Sequence, residues 1–177
     1  MLYIVYMEPI RVVAASTAAE LLNMTRPATQ RLFDAGVLGR TLTDGQRTFV
    51  YEQSVKDLAA LPTINAADLP PALILKVSAP ATLEGRRVGW NHLEPDIAKR
   101  REPILQWWPV AEDVDLVGHL LVVTVSGVVV DVSRITSVTH DGRAAFKVEE
   151  AHGKDAEAWR GQRTQPIPGG LTHRNYI

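Results

Sequence analysis

The pattern of apolar and polar positions changes near residue 62. Before it, apolar residues recur at the three- and four-residue spacing of short amphipathic helices, whereas after residue 71 they form continuous runs typical of strands. Between the two regions lies PTINAADLPP, which has three prolines and no amphipathic period. The pattern predicts two domains, residues 1–62 and 72–177, joined by a linker at residues 63–71.

Two short helices are predicted at the start of the first region. Thr17 is followed three residues later by Glu20, which is the reciprocal capping pattern of a helix start, and Leu21 and Leu22 supply apolar positions. Residue 25, a threonine, offers a second N-cap. The second helix therefore begins only a few residues after the first one ends.

The second helix is bounded by specific residues. Pro27 lies in its first turn, where the missing amide donor costs nothing, and Gly36 lies where a left-handed C-terminal cap is expected. Leu32 and Phe33 are among the apolar residues at helical spacing. The pattern predicts a helix that ends just before Gly36.

A hairpin and a third helix are predicted next. The pair Asp44-Gly45 lies between the β-favouring runs TLT and RTFVY, which is a strong hairpin signal. Arg40 and Arg47 flank the turn, where they can contact a phosphate backbone or enter a minor groove. Residues 52–61 then have apolar positions three residues apart, and a proline follows.

Residues 16–62 resemble the MerR-like and excisionase-like winged helix-turn-helix families. The resemblance is carried by Thr17, Glu20, Leu21, Leu22, Thr25, Arg26, Thr29, Arg31, Leu32, Gly36 and Leu38. It implies that the second helix reads the major groove of double-stranded DNA and that the hairpin, or wing, contacts the backbone or minor groove. The implied DNA-binding residues are Thr25, Arg26, Ala28, Thr29, Gln30, Arg31, Arg40, Gln46 and Arg47.

Composition limits the alternatives. The formal net charge is −1, so the whole chain is not basic, but residues 25–47 carry four Lys/Arg against two Asp/Glu. The chain has no cysteine, no apolar run long enough to cross a bilayer and no secretory signal pattern. We expect a cytoplasmic, nucleoid-associated protein, with Met7 as a possible natural start. The alternative interpretation is that these charged residues only form the solvated faces of an ordinary small helical domain.

The second region predicts a β-rich domain. Strands are expected at residues 73–77, 119–125, 128–139 and 144–148, with turns at Ser126-Gly127 and Asp141-Gly142. A short helix is possible at residues 155–160, and Tyr176 and Ile177 could anchor the tail. The expected fold class is α+β: an N-terminal winged helix-turn-helix followed by an antiparallel β-rich domain, a small barrel or sandwich.

The stretch between these strands holds basic and aromatic residues. Phosphate contact and base stacking make such residues a possible accessory surface for nucleic acid or a ligand, although burial of the tryptophans in a β-rich core is the commoner explanation. Its layout is loosely similar to PUA-like small β-barrels, which include readers of modified bases and RNA; this implies a stacking role for the tryptophans. The candidates are Trp90, Lys99, Arg100, Arg101, Trp107 and Trp108.

No motif for catalysis or a cofactor is recognisable. The chain lacks a glycine-rich phosphate loop and a nucleophile elbow, and its five histidines are scattered without metal-ligand spacing. We therefore expect no catalytic residue, no metal, no cofactor and no enzyme activity.

Three functions remain open at this point. The first is a sequence-specific DNA-binding protein, a transcriptional regulator that binds as a homodimer or cooperative oligomer, with no membrane partner. The second is an architectural DNA-binding protein of the excision, segregation or nucleoid type. In the third, the β domain binds a small-molecule or protein effector or a modified base, and the helical part is an interaction module.

Overall fold

The computed structural model describes residues 10–110 and 112–165 and shows a mixed α/β fold. Met7, Tyr176 and Ile177, for which roles as a start or an anchor are expected, lie outside these residues. No helix in the described part of the chain is long and apolar enough to span a bilayer.

The first part of the chain has a strand, two helices, a hairpin and a third helix. These are β1 (Val12–Ala14), α1 (Ala15–Leu22), α2 (Arg26–Asp34), β2 (Leu42–Asp44), β3 (Arg47–Tyr51) and α3 (Glu52–Ala60). β1 pairs antiparallel with β3, so the small sheet has the order β1-β3-β2. The two helices, the hairpin and the third helix are confirmed as elements, whereas β1 was not predicted.

The start of α1 differs from the prediction. The helix begins at Ala15 with Ala14 as its N-cap and no side-chain capping bond, so Thr17 is not the cap. The reason is that β1 runs directly into the helix, and its pairing with β3 fixes where the helix starts. Leu21, expected on the apolar face, is 41% exposed.

Both ends of α2 follow their local signals. The amide of Ala28 donates to Oγ1 of Thr25 at 3.4 Å, which makes Thr25 the N-cap. After the helix Gly36 adopts φ +70°, and the amide of Val37 donates to the carbonyl of Leu32. The predicted left-handed cap at Gly36 is therefore confirmed.

The connector between the two regions is part of a sheet. Within residues 63–71, β4 (Thr63–Ile64) pairs parallel with β11 (Arg163–Thr164), and a short 3-10 helix (Ala66–Asp68) follows. The predicted linker is thus held by backbone hydrogen bonds to a segment a hundred residues away in sequence. No local pattern reveals that partner.

The second part is built on a mixed sheet with the order β4-β11-β9-β8-β5, and β10 pairs with β9. Its long members are β5 (Ala72–Val77), β8 (Leu120–Val125), β9 (Val128–His140) and β10 (Ala144–Glu150). These strands and both predicted turns are confirmed. The antiparallel assignment is wrong for β5 and β8, which are parallel because the long chain segment between them crosses over before pairing.

The crossover segment contains short elements. A hairpin of β6 (Ala81–Leu83) and β7 (Arg86–Val88) is followed by α4 (Ile97–Arg101) and a 3-10 helix (Glu102–Ile104). Pro95 and Pro103 flank this stretch and limit the length of any helix in it. The hairpin was not predicted, because its strands have three residues each and face solvent. After β10, α5 (Lys154–Trp159) matches the predicted short helix and packs on the opposite side of the sheet.

One buried cluster joins the two parts of the chain. It includes side chains from α1 and α2, from the crossover segment and from one face of the main sheet. The second face is covered by α5 and the connector, with Trp159 fully buried there. The helices of the first part therefore pack against the sheet instead of standing apart on a free linker.

Candidate nucleic-acid interface

A polar stripe on α2 faces solvent. Arg26, Gln30 and Arg31 are exposed, together with Asp34 one turn further on. Leu32 and Phe33 on the opposite side are buried, as a helix period of 3.6 residues requires when one face packs on a core. The stripe includes three of the residues expected to contact bases.

Two residues expected on this face are placed elsewhere. Thr29 is fully buried, and its hydroxyl donates to the carbonyl of Thr25 at 3.1 Å. Ala28 is half-buried, on the side of α2 that meets the sheet. We therefore remove Thr29 and Ala28 from the set of base-contacting candidates. The helix period turns both away from the exposed stripe, and Thr25 serves as a helix cap.

The hairpin after α2 carries the next group. Arg40, Gln46 and Arg47 are exposed, and the register pairs Asp44 with Arg47 around a two-residue turn of Gly45 and Gln46. Gly45 has φ +59°, the conformation that tight hairpin turns require and glycine adopts readily. The turn therefore places Gln46 at the tip of the hairpin and Arg47 directly beside it.

The arginines of α2 and the hairpin have no protein partner among the described residues. Arg26, Arg31, Arg40 and Arg47 form no ion pair and no side-chain hydrogen bond there. By contrast, most arginines of the second part bond to protein oxygens: Arg100, Arg101, Arg134, Arg143, Arg160 and Arg163. In the described part of the chain Arg11 and Arg87 also lack such a partner, but α2 and the hairpin after it hold the largest group of unpaired guanidinium groups.

An acidic residue interrupts this basic surface. The side-chain amide of Gln30 donates to Oδ1 of Asp34 at 2.7 Å. This bond holds Gln30 along the helix surface and places a carboxylate beside Arg31. A polyanion that approaches the stripe meets cations at the helix start and one repulsive charge at its end.

The second part of the chain fixes the positions of both helices through main-chain carbonyls. Oγ of Ser126 donates to the carbonyl of Ala28 at 2.9 Å, and Nη2 of Arg163 donates to that of Leu22 at 2.8 Å. The amide of His92 donates to the carbonyl of Ala35 at 2.8 Å. Three separate loops and strands thus hold the carbonyl groups of α1 and α2.

The predicted accessory surface does not form as expected. Trp90 is fully buried, and its Nε1 donates to Nδ1 of His92 at 3.2 Å. Burial, and secondarily the nearby Arg100 guanidinium, lowers the pKa of His92 below its usual 6.5, which favours the neutral ring that accepts this bond. Trp90 is a core residue and no stacking platform.

The other five residues expected to form that surface are either used in internal contacts or exposed. Trp108 is half-buried and donates to the carbonyl of Ile104, Arg100 donates to the carbonyl of Glu94, and Arg101 forms a bidentate ion pair with Asp131. Lys99 and Trp107 remain exposed. These residues are close along the chain, but the side chains of Arg100, Arg101 and Trp108 are used in internal contacts.

Trp107 has a partner that sequence reasoning missed. The guanidinium of Arg86, on the β6–β7 hairpin, lies 3.6 Å from the centre of the Trp107 ring. Trp107 is 46% exposed and has φ +72°, an uncommon value for a residue with a side chain. A glycine followed by two arginines, Gly85-Arg86-Arg87, was the available signal for this basic hairpin.

Among the described residues, no group of three or more His, Asp or Glu side chains is arranged to hold a metal ion. The structure is a mixed α/β fold in which α2 and the β2–β3 hairpin expose four unpaired arginines. Comparison of the chain with protein families, with curated proteins and with solved structures gave no match.

Proposed function

We propose that the first part of the chain is a winged helix-turn-helix that binds double-stranded DNA in a sequence-specific manner. In this proposal α2 lies in the major groove with Arg26, Gln30 and Arg31 toward the base edges. The β2–β3 hairpin is the wing, and Arg40 and Arg47 contact the phosphate backbone or the minor groove.

The observation that supports this proposal is the set of unpaired arginines on α2 and the hairpin. An exposed guanidinium without an internal partner can bond a guanine edge or a phosphate without first breaking a protein contact. The net charge of the chain is −1, so the attraction to DNA is local to this surface. The element order β1-α1-α2-β2-β3-α3 agrees with the proposed arrangement.

Binding as two or more copies is part of the proposal. One small module buries little surface, so useful affinity calls for a repeated or palindromic site. A transcriptional regulator protects one short site, whereas an architectural protein extends along the duplex and bends it. The length of the footprint distinguishes the two.

A second contact is proposed for Arg86 and Trp107. The arginine stacked on this exposed tryptophan offers a cation for a backbone phosphate. Of the six residues expected to form an accessory surface, only Trp107 belongs to this pair.

The test is selection of bound duplexes from a random DNA pool with the full chain, followed by affinity measurements on the selected duplex. The Arg26→Gln/Arg31→Gln variant should lose most of the binding and reduce the slope of log affinity against log salt by about one to two. Lys147→Gln/Lys154→Gln, which changes net charge equally at exposed positions on β10 and at the start of α5, is the control.

The outcomes of this experiment distinguish sequence-specific binding through α2 from general charge attraction. An enriched motif with loss of binding only in the arginine variant supports the proposal. Equal loss in both variants means that the attraction is general charge, and α2 is then not the reading element. Failure to enrich any motif contradicts sequence-specific binding.

A further inference from the structure

A cavity of about 450 Å³ lies on the main sheet, away from α2 and the hairpin. Its walls come from α4, from β9 and from the chain around the end of α5. The volume is within the range of small-molecule sites, roughly 300–1,000 Å³. The lining includes Arg100, Arg101, Arg160, Asp131, Glu150 and Val130.

The three arginines in the lining are only partly used by the protein. Arg100 donates through Nε and Nη2 to the carbonyl of Glu94, and Arg101 donates through the same two nitrogens to Asp131. Arg160 uses Nη1 and Nη2, on Glu157 and on the carbonyl of Ala151. Within the described residues this leaves Nη1 of Arg100, Nη1 of Arg101 and Nε of Arg160 without a bond.

The charge and polarity of the lining indicate the class of ligand. The three guanidinium groups meet three carboxylates: Asp131 is engaged by Arg101 and by the hydroxyl of Ser133, while Arg160 pairs with Glu157 and lies 3.9 Å from Glu150. The remaining side chains are valines and an isoleucine. The unbonded guanidinium N–H groups beside an apolar wall fit a carboxylate or phosphate group on an apolar body.

We propose that this cavity binds a small organic anion and that its occupancy is transmitted to α1 and α2. The effect of this transmission on DNA binding rests on the proposed function, whereas the proposed ligand site does not depend on that function.

The path of transmission is short. Val123 pairs with Asp131 and Thr124 with Val129, so Val130 is the extra residue of a bulge in the cavity wall. This bulge lies a few residues after Ser126, whose hydroxyl holds the carbonyl of Ala28. Likewise Gly161 lies two residues before Arg163, which holds the carbonyl of Leu22. A ligand that displaces β9 at this bulge therefore displaces the Ser126 contact to α2. A ligand that displaces the chain at Gly161 displaces the Arg163 contact to α1.

The binding test uses the full chain without DNA. Benzoate, phenyl phosphate and inorganic phosphate are titrated by calorimetry at millimolar concentration, with uncharged benzamide for comparison. Arg100→Met and Arg160→Met should each weaken binding about tenfold or more, because each removes one charge-assisted donor. Arg134→Met is the matched control, since Arg134 lies on β9 but donates to the carbonyl of Gly118 outside the cavity.

Binding of at least one of the two organic anions, weakened by the two cavity variants alone, is the expected result. If none of the three anions binds, the site is wrong. Equal binding of benzamide overturns the anion assignment, and equal weakening by Arg134→Met overturns the location.

Transmission is tested by NMR on the same samples. Binding should shift the amide signals of residues 25–36, and Ser126→Gly should reduce these shifts while changing ligand affinity less than about threefold. If the ligand binds and the amide signals of residues 25–36 do not shift, the proposed transmission is wrong, but the proposed ligand site is retained. Because DNA is absent from both experiments, a failure of the proposed DNA binding leaves either result intact.

Discussion

The hydroxyl of Ser126 donates a 2.9 Å hydrogen bond to the main-chain carbonyl of Ala28, which joins the β8–β9 turn to α2 across 98 residues of sequence. Ser126 has φ +49°, and Gly127 after it has φ +84°, so both turn residues are left-handed. Such a turn matches the twist of its strands but is strained for serine. The contact to α2 is one of the interactions that hold this geometry.

This relationship gives the first prediction. Ser126→Ala should destabilise the fold by about 1 kcal/mol, because it loses the hydrogen bond and keeps the left-handed strain. Ser126→Gly loses the same bond but relieves about 1 kcal/mol of that strain, so it should be closer to wild type. Urea unfolding of the three proteins measures the order, and a glycine variant less stable than the alanine variant would contradict it.

The ion pair of Arg101 and Asp131 provides a second prediction. The exposed fraction is 12% for the arginine side chain and 8% for the aspartate, and two hydrogen bonds of 2.8 and 2.9 Å join them. Asp131→Ala should cost about 3–5 kcal/mol of unfolding free energy, because it leaves a buried guanidinium unpaired. Denaturant unfolding measures the loss.

Two comparisons make that result specific. The double variant Arg101→Met/Asp131→Leu should recover most of the stability, since apolar side chains of similar size need no partner. Glu157→Gln, which alters the exposed pair with Arg160, should change stability by less than about 1 kcal/mol. If the double variant is as unstable as Asp131→Ala, loss of the charge pair is not the cause.

Asp34 allows the proposed DNA-binding face to be tested by a gain of affinity. Asp34→Asn keeps an acceptor for Gln30 and removes a negative charge from the α2 stripe. Affinity for the selected duplex should rise about fivefold, which corresponds to the loss of roughly 1 kcal/mol of repulsion between solvated charges. Fluorescence anisotropy at fixed salt measures the change.

The chain offers a close control for this change. The side-chain amide of Gln53 donates to Asp57 on α3 at 2.7 Å, the same distance and spacing as the Gln30–Asp34 bond. Asp57→Asn alters net charge equally and should leave affinity nearly unchanged if α2 faces the duplex. An equal gain from both variants would show that only total charge matters.

His92 predicts a pH dependence of stability. Its pKa is lowered from the usual 6.5 by burial and by Arg100, and its neutral ring accepts the Trp90 bond. The unfolded chain therefore binds more protons as pH falls through about 6.5, so this contribution is present above that value and is lost as pH falls through the lower folded pKa. Urea unfolding between about pH 7.5 and pH 5 measures the slope.

The matched variants separate His92 from the other histidines. His92→Gln retains an acceptor for Trp90 without titrating in this range, so it should flatten the fall in stability toward acid. His119→Gln, at an exposed position, should keep the wild-type slope. A slope that is the same in all three proteins would exclude His92 as its source.

The sequence by itself determined the features that depend on a few neighbouring residues. The cap at Thr25, the left-handed Gly36 and the two-residue turn at Ser126 follow from backbone chemistry within about four residues, where hydrogen bonding and allowed φ values leave few choices. The same holds for α3 and for the alternating or continuous apolar runs of the long strands. These signals predicted most helices and strands of the described chain.

Only the tertiary structure decided which side chains are exposed and available to bind a partner. Thr29 and Trp90 have the chemistry of binding residues, but packing between segments distant in sequence buries both. The parallel pairing of β5 with β8 and the hydrogen bond from Arg163 to Leu22, 141 residues apart, likewise depend on partners that no local pattern specifies. Burial and long-range pairing are properties of the assembled core, so the exposed arginines of α2 could be separated from its buried threonine only after the sheet was in place.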